Sequence, residues 1–102
     1  MKNAVEPLEI TNNDFLRQFE AKVGDCLIKL EYAEHPRKIF LTKFVIDEDL
    51  CNQGYDEAFL ESIFNHFLEE ETRIMPTCAQ VVKFYKSHRR KYKKLLPTGI
   101  NL

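Results

Sequence analysis

The feature that most constrains the fold is an amphipathic stretch between two short apolar segments. From about Asp56 to Glu70, apolar residues recur with helical spacing in two adjacent rows. These rows are Phe59, Ile63 and Phe67, and Leu60, Phe64 and Leu68. Segments 38–46 and 73–75, on either side, are typical of strands. A strand–helix–strand unit of this length predicts two neighbouring parallel strands with the helix packed across them.

Two further strands are predicted before this unit, in segments 14–22 and 26–32. Both alternate between apolar and polar residues, the second more cleanly. The core-facing residues of the first are predicted to be Phe15, Phe19 and Ala21. Gly24-Asp25 and His35-Pro36 mark the turns between strands. Segment 38–46 is apolar on both faces, which predicts a strand inside the sheet and covered on both sides.

The predicted order is strand, strand, strand, helix, strand, helix. It indicates a single α/β (α+β) domain, in which an antiparallel three-strand meander precedes a helix, a parallel strand and a second helix. The domain is expected over residues 13–96. Residues 1–12 show no periodicity and are expected to be flexible, and residues 97–102 form a tail that begins with Pro97-Thr98-Gly99.

Composition favours a globular protein that works in a reducing compartment. The chain has 102 residues, of which 44% are hydrophobic and 30% charged, so one domain with a modest core is expected. No signal peptide and no membrane-spanning run are visible. The three cysteines are odd in number and far apart, which predicts no disulfide framework and a cytoplasmic protein. The histidines lack ligand spacing, so no metal is expected.

The small net charge hides a strong asymmetry. Residues 72–102 contain eight Lys or Arg residues and no acid, whereas all 16 acids lie in residues 1–71. The two parts could neutralise each other within one fold. Alternatively, the basic part could form a surface for an anionic ligand.

One short stretch, residues 73–81, could present a reactive side chain. Pro76 ends a strand because it has no N–H to donate. Thr77 then has the pattern of a helix N-cap, with Gln80 completing a capping box. This places Cys78 at the first helical position, where the helix N-terminus stabilises a thiolate. The alternative is that Cys78 is a small buried apolar residue, which the local pattern slightly favours.

These residues resemble the small, YjdJ-type branch of the GNAT N-acetyltransferases, from about Phe15 to Leu95. The most specific similarity is Pro76-Thr77-Cys78 with His88 and Tyr92 downstream, which resembles the family's Pro-x-Cys signature. The run 49–54 before the amphipathic helix is similar to the family's pyrophosphate loop. A weaker similarity is the strand pair that ends in Leu30-Glu31-Tyr32.

The resemblance implies a GNAT-like domain that binds acetyl-CoA and transfers acetyl to an amine that the sequence does not identify. It implies that Cys78 is the catalytic residue. The cofactor-binding residues implied by the same comparison are Gln53, Gly54, Tyr55 and Asp56. No metal, membrane or nucleic-acid partner is implied, and the oligomeric state stays open.

The sequence departs from this family pattern at the loop and at one strand. Asp56 stands where a second glycine is expected, and Lys43 stands where the family usually has a histidine. Residues 44–72 contain nine acids and no Lys or Arg, which is a poor setting for a pyrophosphate. The nine acids are Asp47, Glu48, Asp49, Asp56, Glu57, Glu61, Glu69, Glu70 and Glu71.

Two other functions therefore stay open. The first is a non-catalytic GNAT-fold binding protein with a degraded pyrophosphate loop. The second is an anionic-partner binder that uses the basic second helix, residues 83–94. Phe84, Tyr85 and Tyr92 lie among its bases, as stacking on nucleic acid would require. Helical spacing instead predicts that Phe84 and Tyr85 face the core, so nucleic acid is not the expected partner.

Overall fold

One five-stranded sheet runs through the protein in this computed structural model, which describes residues 8–97 and 100. The strands are β1 (Thr11–Asn13), β2 (Gln18–Val23), β3 (Cys26–His35), β4 (Lys38–Val45) and β5 (Arg73–Pro76). They neighbour one another in chain order; β1 to β4 pair antiparallel and β5 pairs parallel to β4. The predicted meander and the predicted parallel pair are therefore confirmed. Predictions for residues 1–7, 98–99 and 101–102 lie outside the described residues.

The helices connect and follow the parallel strands. They are α1 (Glu48–Asn52), α2 (Tyr55–Glu70), α3 (Ala79–Ser87) and α4 (Arg89–Tyr92), followed by a 3-10 helix (Lys93–Leu95). The prediction of α2 is confirmed almost to the residue. Helix α1 is absent from the predicted order of elements, because its five residues bury only Leu50 and offer no helical period. In the part of the chain that the structure describes, no helix combines the length and apolarity needed to cross a bilayer.

The first predicted strand begins four residues later than expected. Residues 14–17 form a turn between β1 and β2, in which the Leu16 N–H donates to Asn13 Oδ1 over 3.0 Å. Arg17 ends the turn in the left-handed region, with φ 57°. The prediction that Phe15 faces the core is wrong, because the turn leaves its side chain 91% exposed. Strand β1 itself lies in the segment that was expected to be irregular.

A β-bulge explains why β4 is apolar on both faces. Glu31 pairs with Lys43 and Tyr32 pairs with Leu41, so Thr42 is an extra residue on β4. The extra residue shifts the alternation of inward-facing and outward-facing side chains by one position. Leu41 and Phe44 are therefore both buried although they are three residues apart. The prediction that β4 lies inside the sheet is confirmed. Covering on both sides is not observed, since Phe40 is only half-buried.

The core is built by aromatic contacts from α2 to the sheet and to the second helix. Phe59 of α2 stacks on Phe44, with ring centroids 5.7 Å apart. On the side of α2 that meets α3 and α4, Phe64 contacts both Phe84 and Tyr92 at 5.0 Å. The Tyr92 hydroxyl donates to Asn65 Oδ1 over 3.0 Å, which satisfies a polar group on a fully buried side chain.

The predicted second helix is divided at His88. The sequence predicts one continuous helix from the cap at Thr77 through the basic run, but α3 ends at Ser87 and His88 has non-helical angles, φ −125° and ψ 32°. The His88 ring stacks on Phe84, with centroids 4.3 Å apart, and its Nδ1 lies 3.0 Å from the Phe84 carbonyl oxygen. The chain therefore turns at His88, and α4 brings Tyr92 back to the core.

We expect Phe64→Ala to destabilise the protein by about 3–5 kcal/mol, because it removes a fully buried ring from the junction of α2, α3 and α4. Urea unfolding measures the change. The matched control is Phe15→Ala, which alters a side chain that is 91% exposed and should change stability by less than about 0.5 kcal/mol. Equal losses in the two variants would contradict this description of the core.

Candidate active site

The two parallel strands stop pairing at one defined point. Their register ends with Leu41 opposite Pro76. Directly after it, the Thr77 N–H and the Thr77 hydroxyl both donate to the Leu41 carbonyl oxygen, over 3.0 and 3.1 Å. Beyond this point β4 continues to Val45, whereas the other chain turns away into α3. The carboxyl ends of parallel strands are the usual place for ligands in open α/β sheets.

A cleft of about 260 Å³ lies between the start of α2, Phe44 of β4 and the length of α3. The first turn of α2 contributes Asp56 and Glu57, and β4 contributes Phe44. The facing wall belongs to α3. Its cleft-lining residues are Gln80, Lys83, Phe84 and Ser87. The cleft therefore has carboxylates on one wall, a lysine on the other, and an aromatic ring from the sheet.

Cys78 is the N-cap of α3, not its first helical residue. Its backbone is extended, with φ −91° and ψ 135°, and helix α3 begins at Ala79. The predicted capping box is wrong, because both hydrogen-bond donors of Thr77 are committed to Leu41 and its side chain does not cap the helix. Thr77 thus extends the pairing of β4 with β5 and fixes the position of the next residue.

The Cys78 thiol is half-buried and is not among the residues that line the cleft. It packs against the hydrophobic core and points to Gln80, with its Sγ 4.0 Å from Gln80 Oε1. Gln80 in turn lines the cleft. The Cys78 carbonyl accepts the Val82 N–H over 2.9 Å at the start of α3. An N-cap residue adjoins the first N–H groups of its helix, which favour negative charge nearby.

The predicted pyrophosphate loop is a two-residue turn between α1 and α2. The N–H groups of Gln53 and Gly54 already donate to the carbonyls of Leu50 and Cys51, over 3.2 and 3.0 Å. Gly54 has φ 92°, a value that favours glycine over any residue with a side chain. Its conformation is what lets α2 begin directly after α1.

The predicted cofactor-binding residues differ in their positions. Asp56 lines the cleft, whereas Tyr55 is buried in the core. The Gln53 side chain donates to the Asp49 carbonyl over 3.2 Å. The structure thus brings Asp56 to the same cleft as Gln80, the neighbour of Cys78.

The acids around this turn create a negative environment. Burial raises the pKa of the Cys51 thiol, and the nearby carboxylates Asp56, Glu48 and Asp47 raise it further. On the adjacent hairpin, the Cys26 thiol lies 3.5 Å from Asp47 Oδ2, and this hydrogen bond is the main reason that its pKa is raised. The same acidic region thus contributes to the raised pKa of both thiols.

The aromatic residues of the basic segment face inward. Phe84, Tyr85 and Tyr92 are all buried, with at most 6% of each residue exposed. The expectation that Phe84 and Tyr85 face the core is confirmed. Since these rings are committed to the core, they are not available as stacking platforms for bases.

The cleft residues that sequence reasoning missed are Phe44, Glu57 and Ser87, and Lys83 was noted only as part of a basic run. A signal for the α3 wall was present, since residues 80, 83, 84 and 87 have the spacing of one helix face. Across the described ranges, no group of three or more His, Cys, Asp or Glu side chains is arranged to hold a metal ion. All three cysteines are free thiols.

With the fold and the cleft established, comparison with known proteins identifies the family. Residues 18–95 match the family described as GCN5-related N-acetyl-transferase. Because the match covers most of the chain, the protein belongs to this family. A search of curated proteins finds no match. The mixed sheet, with a parallel fifth strand and helices that follow it, is the small single-domain form of the GNAT-like fold.

We expect Asp56→Asn to lower the pKa of the Cys51 thiol, because the carboxylate of Asp56 disfavours the thiolate. Alkylation of Cys51 by iodoacetamide at mildly alkaline pH should become faster, as followed by mass spectrometry of the Cys51 peptide.

The second thiol serves as an internal control for this measurement. Asp56 is not among the groups that raise the pKa of Cys26, so alkylation of Cys26 should not change. An unchanged rate at Cys51 would contradict the negative potential assigned to this turn.

Proposed function

We propose that this protein is an acetyl-CoA-dependent N-acetyltransferase, with the acetyl donor in the cleft and Cys78 as the catalytic residue. The observation that supports this proposal is the divergence of β4 and β5 at Thr77. It sets the half-buried thiol 4.0 Å from Gln80, which lines the cleft between the start of α2 and the length of α3. The acceptor is an amine whose identity this site does not define.

The chain's own residues suit acyl transfer through a thioester. Acetyl-CoA supplies an activated acetyl group. The Cys78 thiolate attacks the acetyl carbonyl carbon and receives the acetyl group, while CoA leaves as a thiolate that takes up the released proton. The acceptor amine then attacks the acetylated Cys78, restores the thiol and loses its own proton to solvent. First-turn N–H groups of α3 are suitable donors for the developing oxyanion.

The α2 wall is proposed to contact the donor as well. Asp56 is the predicted cofactor residue that lines the cleft. Gln53, Gly54 and Tyr55 do not line the cleft, and their contact with the donor stays a prediction. Their proposed role is to hold the start of α2 in position. Gly54 provides the backbone conformation that starts α2, and Tyr55 anchors the same end in the core.

We also propose that the protein belongs to the small, YjdJ-type branch and acts in the cytoplasm. The Pro76-x-Cys78 sequence, with His88 and Tyr92 further on, supports the branch. Three free thiols support a reducing compartment.

A binding protein without catalysis is the second candidate, and the acidic wall favours it. Asp56 and Glu57 occupy the end of the cleft where the family places a phosphate-binding loop. These carboxylates would repel the phosphate groups of the donor, which would weaken or prevent its binding. The two candidates differ in whether the protein turns over acetyl-CoA, so turnover by the unmodified protein and by two cysteine variants separates them.

We expect Cys78→Ala to abolish acetyl transfer while leaving acetyl-CoA binding intact, because the change removes the nucleophile and little of the cleft surface. Turnover is measured with acetyl-CoA and a panel of amines, and binding by calorimetric titration. The unmodified protein, given acetyl-CoA alone, should gain one acetyl group on Cys78 in an intact-mass measurement.

Cys26→Ala is the matched control, since this thiol lies on the strand β3 and contacts Asp47. It should keep full turnover. Turnover that survives Cys78→Ala would remove the catalytic role of Cys78, and turnover absent from the unmodified protein on every amine would favour the non-catalytic binder.

A further inference from the structure

Two lysines of α3, Lys83 and Lys86, form a basic ridge between the cleft and a neighbouring groove. The groove has a volume of about 570 Å³ and lies along the other side of the helix. Its lining residues are Thr77, Ala79, Val82, Lys83, Lys86 and Ser87. Lys83 and Ser87 line both the cleft and the groove. A long ligand that leaves the cleft over α3 therefore meets Lys83 first and Lys86 next.

The two lysines are not engaged by the acids on the opposite wall. Described ion pairs closer than 4.0 Å include Arg17–Glu34 and Lys91–Glu61, and neither Lys83 nor Lys86 forms such a pair with a described carboxylate. Both Lys83 and Lys86 are exposed. Since residues 72–102 contain no acid, the groove has no carboxylate among its lining residues. The positive charge of this ridge is available to an anion.

The turn before α2 is, by contrast, a poor place for phosphate groups. Its two N–H groups, from Gln53 and Gly54, are spent on the carbonyls of α1. Asp56 and Glu57 follow at once, and they face the cleft. A phosphate there would lie close to these two carboxylates, with the first N–H groups of α2, and not those of Gln53 and Gly54, as its backbone donors.

We propose that the phosphate groups of the acetyl donor lie along α3, in contact with Lys83 and Lys86, and not at the turn between α1 and α2. This inference rests on the proposed function, because it assigns a phosphate subsite to the same donor. The acetyl end remains in the cleft near Cys78, and the phosphorylated end crosses the ridge into the groove. The acidic wall repels the phosphates and thereby selects this direction.

The test is calorimetric titration of the full chain with acetyl-CoA, at low and at moderate salt. The variants are Lys83→Gln, Lys86→Gln and the double variant. The matched control is Lys22→Gln, which removes an exposed lysine of β2. Acetyl-pantetheine, which has the acetyl thioester but none of the phosphates of acetyl-CoA, is the second probe.

We expect Lys83→Gln to weaken acetyl-CoA binding about tenfold, the size expected for one hydrogen bond to a charged group. The double variant should lose more affinity and most of the salt dependence, because fewer phosphate charges are then neutralised. Lys22→Gln should bind like the unmodified protein. None of the variants should change the affinity for acetyl-pantetheine.

The possible failures are distinguishable. If the unmodified protein binds acetyl-CoA and the double variant binds it equally well, this inference is overturned while the proposed function stands. Equal losses for acetyl-CoA and acetyl-pantetheine also overturn it, since the lysines would then act on the shape of the cleft. If the unmodified protein does not bind acetyl-CoA, the proposed function fails, and this inference fails with it.

Discussion

The two hydrogen bonds from Thr77 to the carbonyl oxygen of Leu41 determine the geometry of the candidate site. They extend the pairing of β4 and β5 by one residue past Pro76. Because they bind both donors of Thr77, the next residue, Cys78, is held in extended conformation at the start of α3. The same link leaves the rest of β4 free to diverge. The cleft, the thiol and the direction of α3 all follow from where this pairing stops.

The charges of the chain are sorted onto opposite sides of the cleft. The acidic wall belongs to the first turn of α2, and the basic ridge belongs to α3. One direct contact between the two parts is the exposed pair Lys91–Glu61, at 3.6 Å. Such pairs contribute little to stability, typically below about 1 kcal/mol. The phosphate subsite proposed above would give the basic side of this charge asymmetry a role in ligand binding.

Much of the fold could be predicted because periodic patterns report burial directly. The double apolar row of α2 and the alternation in β3 were sufficient to predict this helix and this strand. The strand–helix–strand order around α2 then predicted the parallel pair. Three features had no periodic signal: the short helix α1, the turn at residues 14–17, and the bulge at Thr42. At the site, the resemblance singled out Asp56, which lines the cleft, whereas the catalytic role of Cys78 stays a prediction. It could not show that Thr77 bonds to Leu41, a contact across 36 positions that removes the predicted cap.

The most direct test of the account is a crystal structure of the chain with bound CoA. We predict that the CoA sulfur lies next to the Cys78 thiol and that the phosphate groups follow α3 past Lys83 and Lys86. Phosphates bound at the turn between α1 and α2 would contradict the assignment of the basic ridge. CoA bound away from the cleft, with its sulfur distant from Cys78, would contradict the central claim that the divergence of β4 and β5 forms the active site.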